Sequence, residues 1–225
     1  QAEDARISAV QKYRALKANS AVAKVLFEQS GYYETSLKDS SIIFGNANAK
    51  IRVTILSNPH CNPCARMHKR VDKLLRMNGC DICIQYIFAS FNESLEDSSR
   101  YLISYYLNNN TDETLRKFYL WYEKEKDNYQ KIIKENEAFL HTEPIEEEMK
   151  KHRNWKNKTS FTSTPTILIN GYKLPKEYEL EDVITIISKK NILQDINGRS
   201  TTPLGAESQS AEETVLLFNH SKQKL

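Results

Sequence analysis

The stretch Ile51-Arg52-Val53-Thr54-Ile55-Leu56-Ser57-Asn58-Pro59-His60-Cys61-Asn62-Pro63-Cys64 decides how this chain is read. Ile51 to Leu56 is rich in β-branched residues, which predicts a buried strand. Asn58-Pro59-His60 breaks it, and a Cys-x-x-Cys follows at once. From Ala65 to Met77, the residues Met67, Val71, Leu74 and Leu75 recur at helical spacing, predicting a helix with these side chains inward. Asn78-Gly79 is its stop signal. Ile82 to Phe88 is nearly all apolar and predicts a second buried strand. Strand, helix, strand is a βαβ unit whose crossover favours parallel strands, so the class is α/β.

Thiol exchange needs a thiolate to attack and a second thiol to release the mixed disulfide. A Cys-x-x-Cys at a helix start supplies both. Cys61 falls at the exposed N-terminus, where unpaired N–H groups and the helix dipole favour negative charge. Cys64 falls one turn in and is more shielded. Pro63 suits a first turn that has no need of its N–H. His60, if protonated, would lower the Cys61 pKa as a cationic neighbour does. The alternative for His60 is a surface histidine with no redox role. About a hundred residues on comes Ser163-Thr164-Pro165-Thr166, just ahead of the predicted strand Thr166-Ile167-Leu168-Ile169. A cis Pro165 would leave the N–H and C=O of Thr164 free to pair with a substrate strand. An ordinary trans proline opening a strand is the alternative.

The rest of the chain surrounds this unit. Ala-rich residues 3–29 predict a leading helix, with Ile7, Val10, Val22, Val25 and Leu26 at helical spacing. Residues 94–157 hold no Gly and only Pro144, and fit helices near 94–108, 112–126, 128–140 and 145–157. Asn170-Gly171 is a hairpin signal. Residues 179–190 predict a last amphipathic helix. From Asn197 the composition turns polar, and the cluster Val215 to Phe218 either docks as a short strand or stays disordered. The expected divisions are a leading helix (1–31), a first part of the main domain (32–92), a helical insertion (93–158), a second part (159–195) and a polar tail (196–225).

Composition narrows the function. Apolar residues make up 40% of 225, enough for a core, and Gly and Pro number six each. A net charge of +3 gives no support for nucleic-acid binding. No apolar run reaches the roughly 18 residues that span a bilayer. The chain opens at Gln1 without a signal-like region, so it is expected to be a processed or excised piece. The paired cysteines fit an oxidising compartment.

At these residues the sequence resembles the thioredoxin-fold thiol oxidoreductases, in particular the bacterial periplasmic DsbA/DsbG-like branch. The matching pieces are Phe44-Gly45-Asn46-Ala47-Asn48-Ala49-Lys50, the strand ending in Cys61-Asn62-Pro63-Cys64, and Thr164-Pro165-Thr166 with Asn170-Gly171. The resemblance covers about residues 40–190. The chain is also similar to the soluble thioredoxin-like domains linked to vitamin K epoxide reductase-type membrane proteins. The resemblance implies a thioredoxin-like fold with an inserted helical region and an extra N-terminal helix. It implies Cys61 as nucleophile, Cys64 as resolving thiol and Pro165 as a cis proline beside Thr164. It implies polypeptide substrates bearing thiols or disulfides and a membrane redox partner. It implies no nucleic acid, no metal and no small-molecule cofactor. The implied location is extracytoplasmic, in the periplasm, with tethering through a segment outside this chain. One departure stands out. Many members carry a buried Asp or Glu six residues before the first cysteine, and here that position is Ile55. Water or His68 would have to serve instead, unless His68 lies on the surface. Asn62-Pro63 matches neither the strongly oxidising nor the strongly reducing types, so the direction of electron flow stays open.

Cys80-Asp81-Ile82-Cys83 forms a second pair fifteen residues after the first, the spacing of a four-cysteine zinc site. Zinc needs four sulfurs about 2.3 Å from one metal. A helix over 65–77, at about 1.5 Å per residue, holds the pairs roughly 20 Å apart. Cys80 and Cys83 are therefore expected to be structural or free thiols, the alternative being an accessory disulfide. Against the oxidoreductase reading stands a redox-inert thioredoxin-fold binding or chaperone module, with the insertion as its working surface.

Overall fold

The computed structural model describes residues 1–182. Five strands form one sheet: β1 (Ile43–Gly45), β2 (Ile51–Ser57), β3 (Ile82–Phe88), β4 (Thr166–Ile169) and β5 (Tyr172–Lys173). Their order is β1-β3-β2-β4-β5. β2 and β3 run parallel, in register from Ile51 opposite Ile82 to Ser57 opposite Phe88. The other neighbouring strands are antiparallel. Both central strands are covered on both faces, which is why they read as continuous apolar runs rather than alternating ones.

The crossover between them is α3 (Asn62–Asn78), which buries Cys64, Met67, His68, Val71 and Leu74. Between β3 and β4 the chain makes α4 (Glu96–Asn108), α5 (Thr111–Leu120), α6 (Tyr129–Asn136) and α7 (Glu143–Thr159). The main core joins Val53, Ile55, Ile84 and Tyr86 of the sheet to Val71 of α3. From the insertion it adds Leu102, Phe118, Trp121 and Tyr122. On the opposite face Leu56, Ile87 and Leu168 pack with Trp155 of α7 and Phe161. Asn170 and Gly171 both have positive φ, 48° and 89°, and turn β4 into β5.

The leading segment departs from expectation. Two helices, α1 (Ala2–Lys17) and α2 (Ser20–Ser30), replace one. Asn19 divides them, because its side chain accepts from the backbone N–H of Ala21 and Val22 and so caps α2. α2 buries Ala23 and Phe27, whereas α1 buries nothing and leaves Ile7 and Val10 exposed. Residues 180–182 are helical, and the rest of the helix expected over 179–190, with the whole polar tail, lies outside the described residues.

Candidate active site

Cys61 is the N-cap of α3, in extended conformation, and its side chain is half-buried. Its Sγ accepts from the backbone N–H of Cys64 at 3.3 Å. The same thiol donates to the carbonyl of Thr164 at 3.3 Å. The Thr164–Pro165 peptide is cis, and the turn it makes carries that carbonyl to the mouth of α3. Thus two segments 103 positions apart in sequence meet at one sulfur.

Cys64 lies a turn further in and is 2% exposed. Its sulfur accepts a long contact, 3.5 Å, from the Asn58 N–H. Burial pushes this thiol up to about 11, partly offset by the Asn58 contact. Both cysteines are free.

The loop before Cys61 is held from the insertion. A single π turn, Trp121–Glu125, follows α5. Two successive aromatic side chains of this turn meet the end of β2 and the loop that follows it. Trp121 Nε1 donates to the carbonyl of Pro59 at 2.9 Å. The Tyr122 hydroxyl pairs with Ser57 Oγ at 2.7 Å. Lys126 reaches back to Asn62.

His60 is turned toward the insertion. Its Nε2 pairs with Ser98 Oγ at 2.8 Å, and its ring packs edge-on against Trp121 and Tyr129. Burial, and then the Lys126 charge, hold the imidazole below its usual pKa. These surroundings disfavour the imidazolium that would lower the Cys61 thiol. His68 is corrected where it was read as a surface residue: it is 1% exposed, with Nδ1 paired to the Tyr86 hydroxyl at 2.9 Å. Burial lowers it to about 4, so it is neutral. Ile55 is buried in the core, at the strand position where relatives were expected to carry an acid.

The zinc alternative fails on geometry. α3 is an unbroken helix of 17 residues, with Cys61 and Cys64 at its start and Cys80 beyond its end. At about 1.5 Å per residue the pairs are held some 25 Å apart. Cys80 is exposed and Cys83 buried, and both are free.

Sequence reasoning missed Ser57, Ser98, Trp121 and Tyr122. Nothing in the helical stretch 94–157 marked which of its aromatics would turn toward the cysteines. His68 had a readable signal: it follows Cys64 by four residues and precedes Val71 by three, on the inward stripe of α3.

No curated protein matches the chain. Solved structures match its fold at low identity. Oxidised BdbD from Bacillus subtilis is 15% identical over 71% of this chain and 97% of its own, with TM-score 0.56. ScsC from Proteus mirabilis, in a transitional conformation, is 15% identical over 85% of this chain and 87% of its own, at 0.53. The oxidoreductase DsbA from Xylella fastidiosa is 15% identical over 68% and 90%, at 0.50. These likenesses lend no support to a link with vitamin K epoxide reductase-type proteins. Described as thioredoxin, a family model matches residues 37–189, more than half the sequence, and the chain belongs to the thioredoxin family.

Proposed function

We propose that this protein is a thiol–disulfide oxidoreductase acting on polypeptides, with Cys61 as nucleophile and Cys64 as resolving thiol. The observation that carries the reading is the half-buried Cys61 sulfur. It caps α3, receives the Cys64 N–H, and faces the Thr164 carbonyl. A thiolate there keeps the helix N–H donors and loses only the bond it donated.

In the reducing direction the Cys61 thiolate attacks one sulfur of a substrate disulfide. A Cys61–substrate bond forms, the substrate S–S bond breaks, and the first substrate sulfur leaves as thiolate. Cys64, losing its proton, then attacks Cys61. The Cys61–Cys64 bond forms, and the second substrate sulfur leaves and takes up a proton. Oxidation of a dithiol is the same sequence reversed. An extended substrate would lie along Thr164–Pro165 and use the Thr164 carbonyl that the Cys61 thiol occupies in the free protein. The similarity to BdbD, ScsC and DsbA structures supports a thiol-bearing polypeptide substrate. We place the activity in the periplasm, with re-oxidation or re-reduction by a membrane partner. No helix among the described residues is long and apolar enough to cross a membrane.

The test is a Cys64→Ser variant mixed with a disulfide-bearing polypeptide. It accumulates a covalent adduct on Cys61, visible by intact mass and lost with dithiothreitol. No adduct, together with a Cys61–Cys64 potential far below about −300 mV, would mark a locked structural disulfide and the redox-inert module instead.

A further inference from the structure

Asn58-Pro59-His60 follows β2, and Asn then Pro is a favoured opening for a β-turn. The Asn58 carbonyl accepts from the Cys61 N–H at 3.0 Å, and Asn58 Oδ1 accepts from the His60 N–H at 2.8 Å. The Pro59 carbonyl accepts from Trp121 Nε1 at 2.9 Å, and both of these residues are buried. Just before the turn, the Ser57 carbonyl accepts from the Ala89 N–H at 2.9 Å. In a trans peptide the N–H lies opposite the carbonyl. The Asn58 N–H is thus turned away from Ala89, and it donates to the Cys64 sulfur at 3.5 Å.

Cys64 changes charge during exchange. As resolving thiol it attacks as a thiolate, and when a Cys61–Cys64 bond is opened at Cys61 it leaves as one. Its burial opposes that charge. Ile55 brings no polar group to relieve it. The Asn58 N–H does, because a thiolate is a better acceptor than a thiol and the bond strengthens as charge arrives. A donor fixed beforehand needs no reorganisation at that moment. This one is fixed by Ala89 on one side of the peptide and by the closed turn on the other.

We infer that the Asn58 side chain is a positioning residue for exchange at Cys64: by closing the turn onto the His60 N–H, it holds the Asn58 backbone N–H against that sulfur as the sulfur becomes a thiolate. Trp121 braces the same turn from the insertion. The inference rests on the exchange reading proposed above, and the experiment separates the two. In the step tested, a dithiothreitol thiolate attacks Cys61. A Cys61–dithiothreitol bond forms, the Cys61–Cys64 bond breaks, and Cys64 leaves as a thiolate that takes a proton from water. The second dithiothreitol thiol, losing its proton, then displaces Cys61 and closes a ring.

The oxidised protein is mixed with dithiothreitol in a Cys80→Ser background, and new thiols are trapped with a maleimide and counted by intact mass. Asn58→Ala slows opening of the disulfide about fivefold. Alkylation of Cys61 by iodoacetamide in the reduced protein stays within about twofold, because that thiol keeps its own N–H donor. Asn58→Ser, whose hydroxyl accepts from the same His60 N–H, restores opening to within about twofold of the parent. Trp121→Phe slows opening in the same direction, and carries the test if Asn58→Ala does not fold. Unchanged opening in the variant that carries the test, equal slowing of opening and of alkylation, or no recovery in Asn58→Ser overturns the inference and leaves the exchange reading standing. A parent disulfide that dithiothreitol opens only when the protein is unfolded overturns the exchange reading itself, and this inference with it.

Discussion

At one end of α3, Cys61 caps the first turn, its sulfur among N–H donors and the Thr164 carbonyl, with Cys64 sealed behind it. At the other end, Cys80 lies past Asn78 and Gly79, exposed beside an open groove lined by Leu75, Arg76 and Leu115. Cys83 is buried within β3, its thiol raised by desolvation and only partly relieved by Arg52. The two pairs have the same spacing. A helix N-terminus offers unpaired N–H groups, and a C-terminus offers carbonyls. On the proposed function, the comparison teaches that the end of the helix a Cys-x-x-Cys occupies decides whether its first sulfur is set among N–H donors.

The largest test sets the first sulfur against the third. Cys61→Ser lowers insulin reduction by about 10³-fold or more, because no other thiol occupies its place. Cys80→Ser changes the same rate by less than about twofold. A large loss in Cys80→Ser would show that the far pair takes part, and the contrast between the helix ends would collapse.

The next test concerns the interior beneath the first pair. Folding lowers His68 from 6.5 to about 4, so the unfolded chain takes up a proton first. Its contribution is complete above pH 6.5 and is lost as pH falls toward 4, by up to about 3 kcal/mol. His60 and His152 are lowered too and add in the same direction. Urea unfolding across this range shows the acid limb, and His68→Gln makes it shallower. An unchanged slope would mean that His68 is not held neutral.

The third test concerns the far end. Gly45, opposite Cys83 in the sheet, has φ +79°, and a Cβ there would lie 2.4 Å from the Ile82 carbonyl. Gly45→Ala costs about 2 kcal/mol or more of stability. In the protein that remains folded, insulin reduction keeps its rate. Altered exchange rates in that variant would show that the two ends of α3 are coupled.

The contrast also explains what could be read from the sequence. The strand from Ile51, the helix through Met67 and Val71, the strand from Ile82 and the hairpin at Asn170-Gly171 are local patterns, and each forms. The break at Asn19 was hidden because one capping side chain is a weak signal between two good helix formers. The π turn and the contacts of Trp121 and Tyr122 with the loop before Cys61 join residues more than sixty apart. No periodicity encodes such pairings. The surroundings of His60 were hidden for the same reason, since its sequence neighbours are Pro59 and Cys61 whereas Ser98, Trp121 and Tyr129 surround its ring.

His60 therefore gives the finest cut, because it decides whether the first pair differs from the second by a side-chain charge or by backbone alone. The imidazole is already bonded to Ser98 and lowered by burial and by Lys126. Protonating it at neutral pH would place a cation among aromatic rings and near Lys126, which the surroundings oppose. In a Cys80→Ser background, the rate at which the Cys61 thiol attacks 5,5′-dithiobis(2-nitrobenzoate) shows no step near pH 6.5. His60→Gln, which retains a hydrogen-bonding side chain for Ser98, should follow the parent within about threefold across the range. A step in the parent that disappears in His60→Gln would restore a cation beside Cys61. Without it, the N–H groups of the first turn of α3 account for the difference between two otherwise matching cysteine pairs.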